Sequence, residues 1–347
     1  MKIIFIVIVL FLISIKFVMS EDKIKVLPCG SYNNCVFGSY TVSPESPSKE
    51  KIMYLEIDEE DRTGAIRIYN KKNMIEKFNN IIPVSLVDPH NGARQYWNDE
   101  NTIVYQDGYQ TIKIFDIDKS ELKAEIDGKL GLINAKNKIL VKKDFHSATN
   151  SPGIYVYSIL EKDESLIISY KDLEAKFCLD DEKCKLKDVW NLKFSEDGNS
   201  IFFRVDLMIG KTKTQYLAKY DGKSIIKRDL MIHYLIAKDG VYGGVDNFLT
   251  KVDLDFESSE KINLQVNHFD ISSDLVATDS AYYSEIIYIK LCKMSNFECE
   301  TVFSNNFDDL VWEHFYHLNP SFSDDGKRLY FNYPISENSV QAAYITL

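Results

Sequence analysis

The stretch Phe194-Ser195-Glu196-Asp197-Gly198-Asn199-Ser200-Ile201-Phe202-Phe203 returns, without a gap, as Phe322-Ser323-Asp324-Asp325-Gly326-Lys327-Arg328-Leu329-Tyr330-Phe331. In both copies an aromatic residue leads into Ser-x-Asp-Gly, and an apolar and aromatic run follows. Asp-Gly supplies a positive-φ corner that joins two antiparallel strands tightly. Ile271-Ser272-Ser273-Asp274, followed by Leu275-Val276, is a shortened version of the same turn. One hairpin signature used three times predicts a chain built by repeating one β unit.

Outward from these turns, short apolar strands recur at Ile52–Ile57, Thr102–Gln106, Lys138–Lys142, Ser200–Val205, Gly240–Val245, Leu275–Asp279 and Arg328–Tyr333. Each is followed by a second strand: Ala65–Tyr69, Thr111–Phe115, Ile154–Ser158, Gln215–Tyr220, Leu249–Leu254, Ile286–Leu291 and Ala342–Leu347. The chain holds 21 Tyr and 20 Phe, residue types that favour strands. Helix signals are confined to Asn73–Asn79 and Leu173–Phe177. Ser43-Pro44-Glu45-Ser46-Pro47-Ser48 reads as a surface loop inside the first unit, so no domain linker is seen. Seven hairpins in series, at about 47 residues each, match the blade length of a propeller. A two-sheet sandwich would not call for seven similar units. The expected fold is all-β: a single β-propeller of about seven four-stranded blades over residues 21–347. The strand Ala342–Leu347 ends the last blade, and a strand from the mature N-terminus completes a blade.

Residues 1–20 carry Lys2, an apolar run from Ile3 to Ile15, Lys16, and a tail ending Val18-Met19-Ser20. This is the layout of a cleaved signal peptide, and Lys16 interrupts the run before it reaches the roughly 20 apolar residues of a spanning helix. The expectation is a secreted or secretory-lumen protein with no membrane span after cleavage. Cleavage removes two lysines and no acid, leaving a formal charge of −13, which disfavours nucleic acid as a partner. The six cysteines fall into three close pairs, Cys29 with Cys35, Cys178 with Cys184 and Cys292 with Cys299. In an oxidising compartment they read as three local disulfides.

Asn319-Pro320-Ser321 ahead of the last Phe-Ser-x-Asp-Gly turn resembles the blade signature of TolB-like propellers. His90-Asn91-Gly92-Ala93-Arg94-Gln95-Tyr96-Trp97 is similar to a segment of the oligogalacturonate-lyase-like group. The resemblance runs from about Val84 to Leu347. It implies histidines near the central channel that hold a divalent metal such as manganese, and a basic residue that abstracts the proton beside a uronate carboxyl. The implied metal positions stand three residues before the first residue of each blade turn. Here they are Asn191, His268 and Asn319, so a single imidazole remains, and an amide oxygen is a poor ligand for a transition metal.

His268 is therefore the candidate metal ligand, with His317 and His90 as imidazoles that the fold could bring to the channel. Arg94 beside His90 reads either as a carboxylate partner at the channel mouth or as a tie between blades. His314 and His317 flank Phe315 and Tyr316, while His146 and His233 carry no supporting context. Asp116-Ile117-Asp118 and Asp253-Leu254-Asp255 lack the glycine of a calcium loop, and no Gly-x-Ser-x-Gly elbow or phosphate loop is present. The expected function is binding of a glycan, small molecule or protein on the face around the channel, without catalysis and with no cofactor. The alternative is a metal-dependent lyase acting on uronate-containing oligosaccharides.

Overall fold

A computed structural model describes residues 23–30, 34–58, 60–71, 81–85, 92–144, 151–179, 183–280, 286–305, 317–336 and 339–347. Its strands form seven four-stranded antiparallel sheets, six of them paired in sequence order, set as the blades of a β-propeller. Blade I comprises Asn34–Val36, Lys51–Asp58, Thr63–Asn70 and Ile81–Val84, and blade II comprises Tyr96–Trp97, Thr102–Asp107, Thr111–Asp116 and Glu121–Asp127. Blade III comprises Lys129–Leu130, Lys138–Lys143, Gly153–Ser158 and Asp163–Ser169; blade IV comprises Cys184–Phe194, Ile201–Ile209, Thr212–Tyr220 and Ile225–Asp229. Blade V comprises Ile232–Ala237, Gly240–Val245, Phe248–Val252 and Ser259–Gln265; blade VI comprises Phe269–Ser272, Leu275–Asp279, Ile287–Lys293 and Cys299–Asn305. Blade VII takes Ser321–Phe322, Arg328–Ser336 and Ser339–Thr346 from the end of the chain and Lys25–Val26 from its beginning. The fourteen strands expected in pairs are the second and third strands of the blades.

The repeated turn owes its residue types to its hydrogen bonds. In blade IV the Ser195 amide donates to the Ser200 carbonyl (2.9 Å), closing the hairpin, and the Gly198 amide donates to the Ser195 carbonyl (2.9 Å). The Ser195 hydroxyl accepts from the Ser200 amide (2.9 Å) and donates to Asp197 (2.6 Å), whose carboxylate accepts from the Asn199 amide (3.0 Å). Ser323, Asp325 and Gly326 repeat these contacts in blade VII. Gly326 has a φ of +67°, and a Cβ there would stand 2.5 Å from the Ser272 hydroxyl of blade VI, so a side chain is excluded twice.

The middle strands are apolar on both faces because each face meets a different blade. In blade I, Ile52 and Tyr54 face the Tyr330 and Ala342 side of blade VII. The alternate residues Met53, Leu55 and Ile57 join Ile103 and Tyr105 of blade II. Comparable clusters lie between every successive pair of blades, so the core is a ring of seven wedges. Fourth strands lose the pattern, and Ser259–Gln265 buries only Ile262 and Leu264.

One helix, Tyr170–Cys178, is present among the described residues. It is longer than the expected Leu173–Phe177, because Ser169 caps it by accepting from the Asp172 amide (3.0 Å). Asn73–Asn79 and residues 1–20 lie outside the described residues. The cysteines are joined as expected, Cys29 to Cys35, Cys178 to Cys184 and Cys292 to Cys299. These bonds fit an oxidising environment. Among the described residues no helix is long and apolar enough to cross a membrane.

The ring closes through both ends of the chain. Lys25 and Val26 pair with Tyr344 and Ala343, the buried Asn34 side chain accepts from the Val340 amide (2.9 Å), and the buried Asn332 side chain accepts from the Phe37 amide (2.8 Å). Asn332 also donates to the His317 carbonyl (2.7 Å). Asn332→Ala strands the Phe37 amide and the His317 carbonyl. Buried groups left without partners cost about 1–3 kcal/mol each, so urea unfolding of this variant is expected to show a midpoint lowered by about 2–4 kcal/mol equivalent with an unchanged slope. A midpoint equal to that of the wild type would show that this link does not hold the ring.

Candidate channel site of imidazoles, lysine and carboxylate

The inner strands of the blades line the axis, and the residues at their entrances share a backbone conformation. Arg94, Asn191, His233 and Asn319 have φ values of +47°, +52°, +52° and +46°. Each stands three residues before the residue that opens its blade turn: Trp97, Phe194, Ile236 and Phe322. Non-glycine residues enter this left-handed region uncommonly. Here the reversal breaks the ladder: pairing is irregular between Trp190 and Lys193 and between Ile232 and Leu235. His268 occupies the same position before Ile271. Its backbone amide is held instead by the Asp279 carboxyl (2.9 Å).

Three imidazoles meet there. The His268 ring lies between those of His233 and His317, 4.2 Å from each between centroids and edge to face with both. Tyr40 fills the gap, its ring 5.2 Å from His268 and 5.5 Å from His233, with its hydroxyl 3.1 Å from His233 Nδ1. Asp279 approaches His268 Nδ1 through Oδ2 at 3.1 Å. The Asn267 amide also lies 3.1 Å from this nitrogen, but its two hydrogens are taken by Asp279 Oδ1 (3.0 Å) and the Ser280 carbonyl (3.1 Å). His268 Nδ1 is then the donor to Asp279, and in the neutral ring Nε2 carries the lone pair.

Lys193 lies beside this layer and is 1% exposed. Its ammonium donates to the Tyr234 carbonyl and lies 4.6 Å from the Tyr234 ring centroid and 5.5 Å from that of Tyr40. The Tyr234 hydroxyl donates to the Asn191 carbonyl, tying blade V to blade IV. Burial pulls the Lys193 amine down to about 7, against the opposing charge of Asp270. Burial pushes the Asp279 carboxyl up to about 6, while the His268 amide and the His317 and His233 rings draw it back. Burial also raises the Tyr40 hydroxyl, with Asp279 adding to the effect. Desolvation thus brings a lysine and a carboxyl toward neutral pH within one cluster, a feature concentrated at functional sites.

The structure brings His268 and His317 together and adds His233, which the sequence reading left without context. A signal for it exists: Ile236-Ala237-Lys238-Asp239-Gly240 is a blade turn with Ile for the aromatic and Ala for Ser, and His233 precedes it by three. The Asn191 carbonyl accepts from Tyr234, and the buried Asn319 amide faces the Gly38 carbonyl at 3.5 Å. Arg94 donates to the Leu130 carbonyl of blade III (3.0 Å), a contact between blades. His90, His146 and His314 lie outside the described residues. Asp116 and Asp253 accept from backbone amides within their own loops. Three imidazoles are suitable donors for a first-row metal, and a carboxylate on the far nitrogen of one is the usual support for such a ligand. Among the described residues no group of three or more His, Cys, Asp or Glu that could hold a metal ion is found.

These features define a seven-bladed β-propeller with a buried ionisable cluster at its axis. No family model matches the chain, and no curated protein sequence does. Among solved structures, oligogalacturonate lyase from Vibrio parahaemolyticus aligns with a TM-score of 0.66 at 12% identity, covering 95% of each chain. An oligogalacturonate lyase in complex with manganese aligns with a TM-score of 0.63 at 12% identity, over 93% of this chain and 96% of that one. The β-propeller domain of the Trilobed protease from Pyrococcus furiosus reaches 0.51 at 15% identity, over 78% and 86%. At these identities the likeness is one of fold.

The buried lysine makes stability depend on pH. An unfolded lysine is charged up to about pH 10.4, whereas Lys193 in the folded protein sheds its proton near 7. Between those values the unfolded state binds more protons, so the Lys193 contribution is fully present above the unfolded value and is lost as pH falls through that window. Lys193→Met removes the group, and the gain in stability from pH 7 to pH 9 is expected to be smaller in the variant than in the wild type. Thermal melts at both pH values measure the difference; parallel shifts in the two proteins would show that Lys193 is not desolvated.

Proposed function

We propose that this chain is a secreted propeller whose channel binds a carboxylate-bearing saccharide of the uronate class. The observation that carries the reading is the contact of His233, His268 and His317 around the buried Asp279. Imidazole is the side chain that changes charge between pH 5 and 8. Below about 6 the Asp279 carboxyl takes up a proton, and the cluster loses a negative charge that would repel a carboxylate. A bound carboxylate supplies the missing counter-charge in a site walled by protein, where charge pairing is stronger than in water. Such a local site can act within a cleaved chain of formal charge −13, because close groups dominate over distant ones screened by salt.

A second reading, elimination beside the uronate carboxyl, is favoured by His233. Its ring is half-buried where His268 is buried, and Tyr40 holds Nδ1. A base for proton abstraction needs this combination of access and orientation. The likeness in fold to the oligogalacturonate lyases and the family resemblance of the blade turns support the same substrate class. No step is assigned to a metal.

Calorimetric titration with trigalacturonate at pH 5.5 and pH 8 tests the proposal. Binding is expected at pH 5.5 and should weaken at least about tenfold at pH 8, a change of roughly 1.4 kcal/mol. His268→Asn should reduce the pH 5.5 affinity by a similar factor. Absorbance of an unsaturated product, lost in His233→Asn, would establish the second reading. The absence of heat at both pH values would refute the binding proposal.

A further inference from the structure

The wall of blade IV carries an aromatic group that the channel cluster does not use. Trp190 is 39% exposed, although it lies in the inner strand, whose following residues Leu192, Lys193 and Phe194 are buried. It immediately precedes Asn191, whose carbonyl accepts the Tyr234 hydroxyl next to His233. Counting back from the blade turns, Trp190 stands one position beyond the entrance residues. It therefore belongs to the same end of the propeller as the imidazoles. The grooves between blades III and IV and between blades IV and V open at the turn end, lined by Gly198 and Asn199 and by Glu196 and Asp197.

The indole is held by a charged support. The Lys142 ammonium of blade III lies 4.2 Å from its ring centroid and is fixed by Asp188 (2.6 Å). Lys142 is 3% exposed, so its cation is held against the indole and the Asp188 carboxylate. Fixing a large aromatic side chain before the ligand arrives removes the entropy cost of ordering it during binding. The indole itself is apolar and flat, and it is one residue from Asn191, which is tied to Tyr234 beside His233 in the chain. Aromatic rings bury large areas against flat partners at low conformational cost, and the C–H face of a pyranose ring presents such a surface.

We propose that Trp190, backed by Lys142, is a saccharide subsite adjoining the channel, which receives the next sugar of a chain whose uronate carboxylate sits at the imidazole cluster. This rests on the uronate-binding reading above and adds a demand for more than one sugar. An oligosaccharide is then bound more tightly than a free uronic acid. Lys142 contributes as a support rather than as a carboxylate partner, since Asp188 already occupies it.

Titrating wild type, Trp190→Ala and Trp190→Phe with galacturonate and with trigalacturonate at pH 5.5 separates the two levels of the argument. Trp190→Ala should weaken trigalacturonate binding at least about tenfold, leave galacturonate binding unchanged, and be largely rescued by phenylalanine. Indole emission of the wild type should shift with trigalacturonate and remain constant with galacturonate, and this change should be missing from Trp190→Phe, so the result does not depend on the alanine variant folding. Equal trigalacturonate affinity in wild type and Trp190→Ala would overturn the subsite and leave the channel proposal standing, as would an equal loss for both ligands. A wild type that binds neither ligand would overturn both proposals.

Discussion

The pairing of the first described strand with the last is the interaction on which the rest of this molecule depends. A sheet edge exposes unpaired amides and carbonyls, and seven blades arranged in a row would leave their terminal faces open to water. Lys25–Val26 against Ser339–Thr346 turns the row into a ring, in which each apolar wedge has a blade on both sides. Asn34 and Asn332 add side-chain bonds from one end of the chain to backbone amides near the other. Because Asn332 also holds the His317 carbonyl, the closure that stabilises the ring also places an imidazole.

The channel cluster exists because the blades converge. Inner strands approach one another at the axis, and a left-handed residue at their entrances turns side chains out of the strand ladder and toward the centre. His233 and Asn191 adopt this conformation where their strand pairing is irregular. Convergence also excludes water, which explains why Lys193 and Asp279 depart from ordinary titration. Propeller geometry thus brings ionisable groups from several blades together at low cost in sequence, since each blade supplies one or two residues.

The blade architecture was legible because the Ser-x-Asp-Gly turn has one hydrogen-bond solution and because strands buried on both faces read as unbroken apolar runs. The disulfide pairing was legible for a similarly local reason, since each partner lies within a few residues of the other. The site was legible only in part. His268 stands at a position defined by its turn, and His317 is two residues from Asn319. His233 was missed because blade V replaces the aromatic and serine of the turn with Ile236 and Ala237, which hides the repeat that indexes it. Asp279 and Lys193 stand at or next to the ends of their strands, and only packing reveals that burial shifts them. The length of the helix depended on Ser169, whose capping role is not separable in sequence from the end of a strand.

The closure contacts join residues 295 and 306 positions apart, which has a consequence for how the chain reaches its native state. Contacts this distant in sequence form late and slowly, because the loop entropy must be met before they return any stability. During synthesis the N-terminal segment emerges first and its strand must wait for the C-terminal partner. Until then the last blade has only two of its strands in place and the two end blades expose apolar faces. The period between synthesis of blade I and that of Ser339–Thr346 is therefore the interval in which the chain is most open to association with other copies, and the interval in which a chaperone has most to protect.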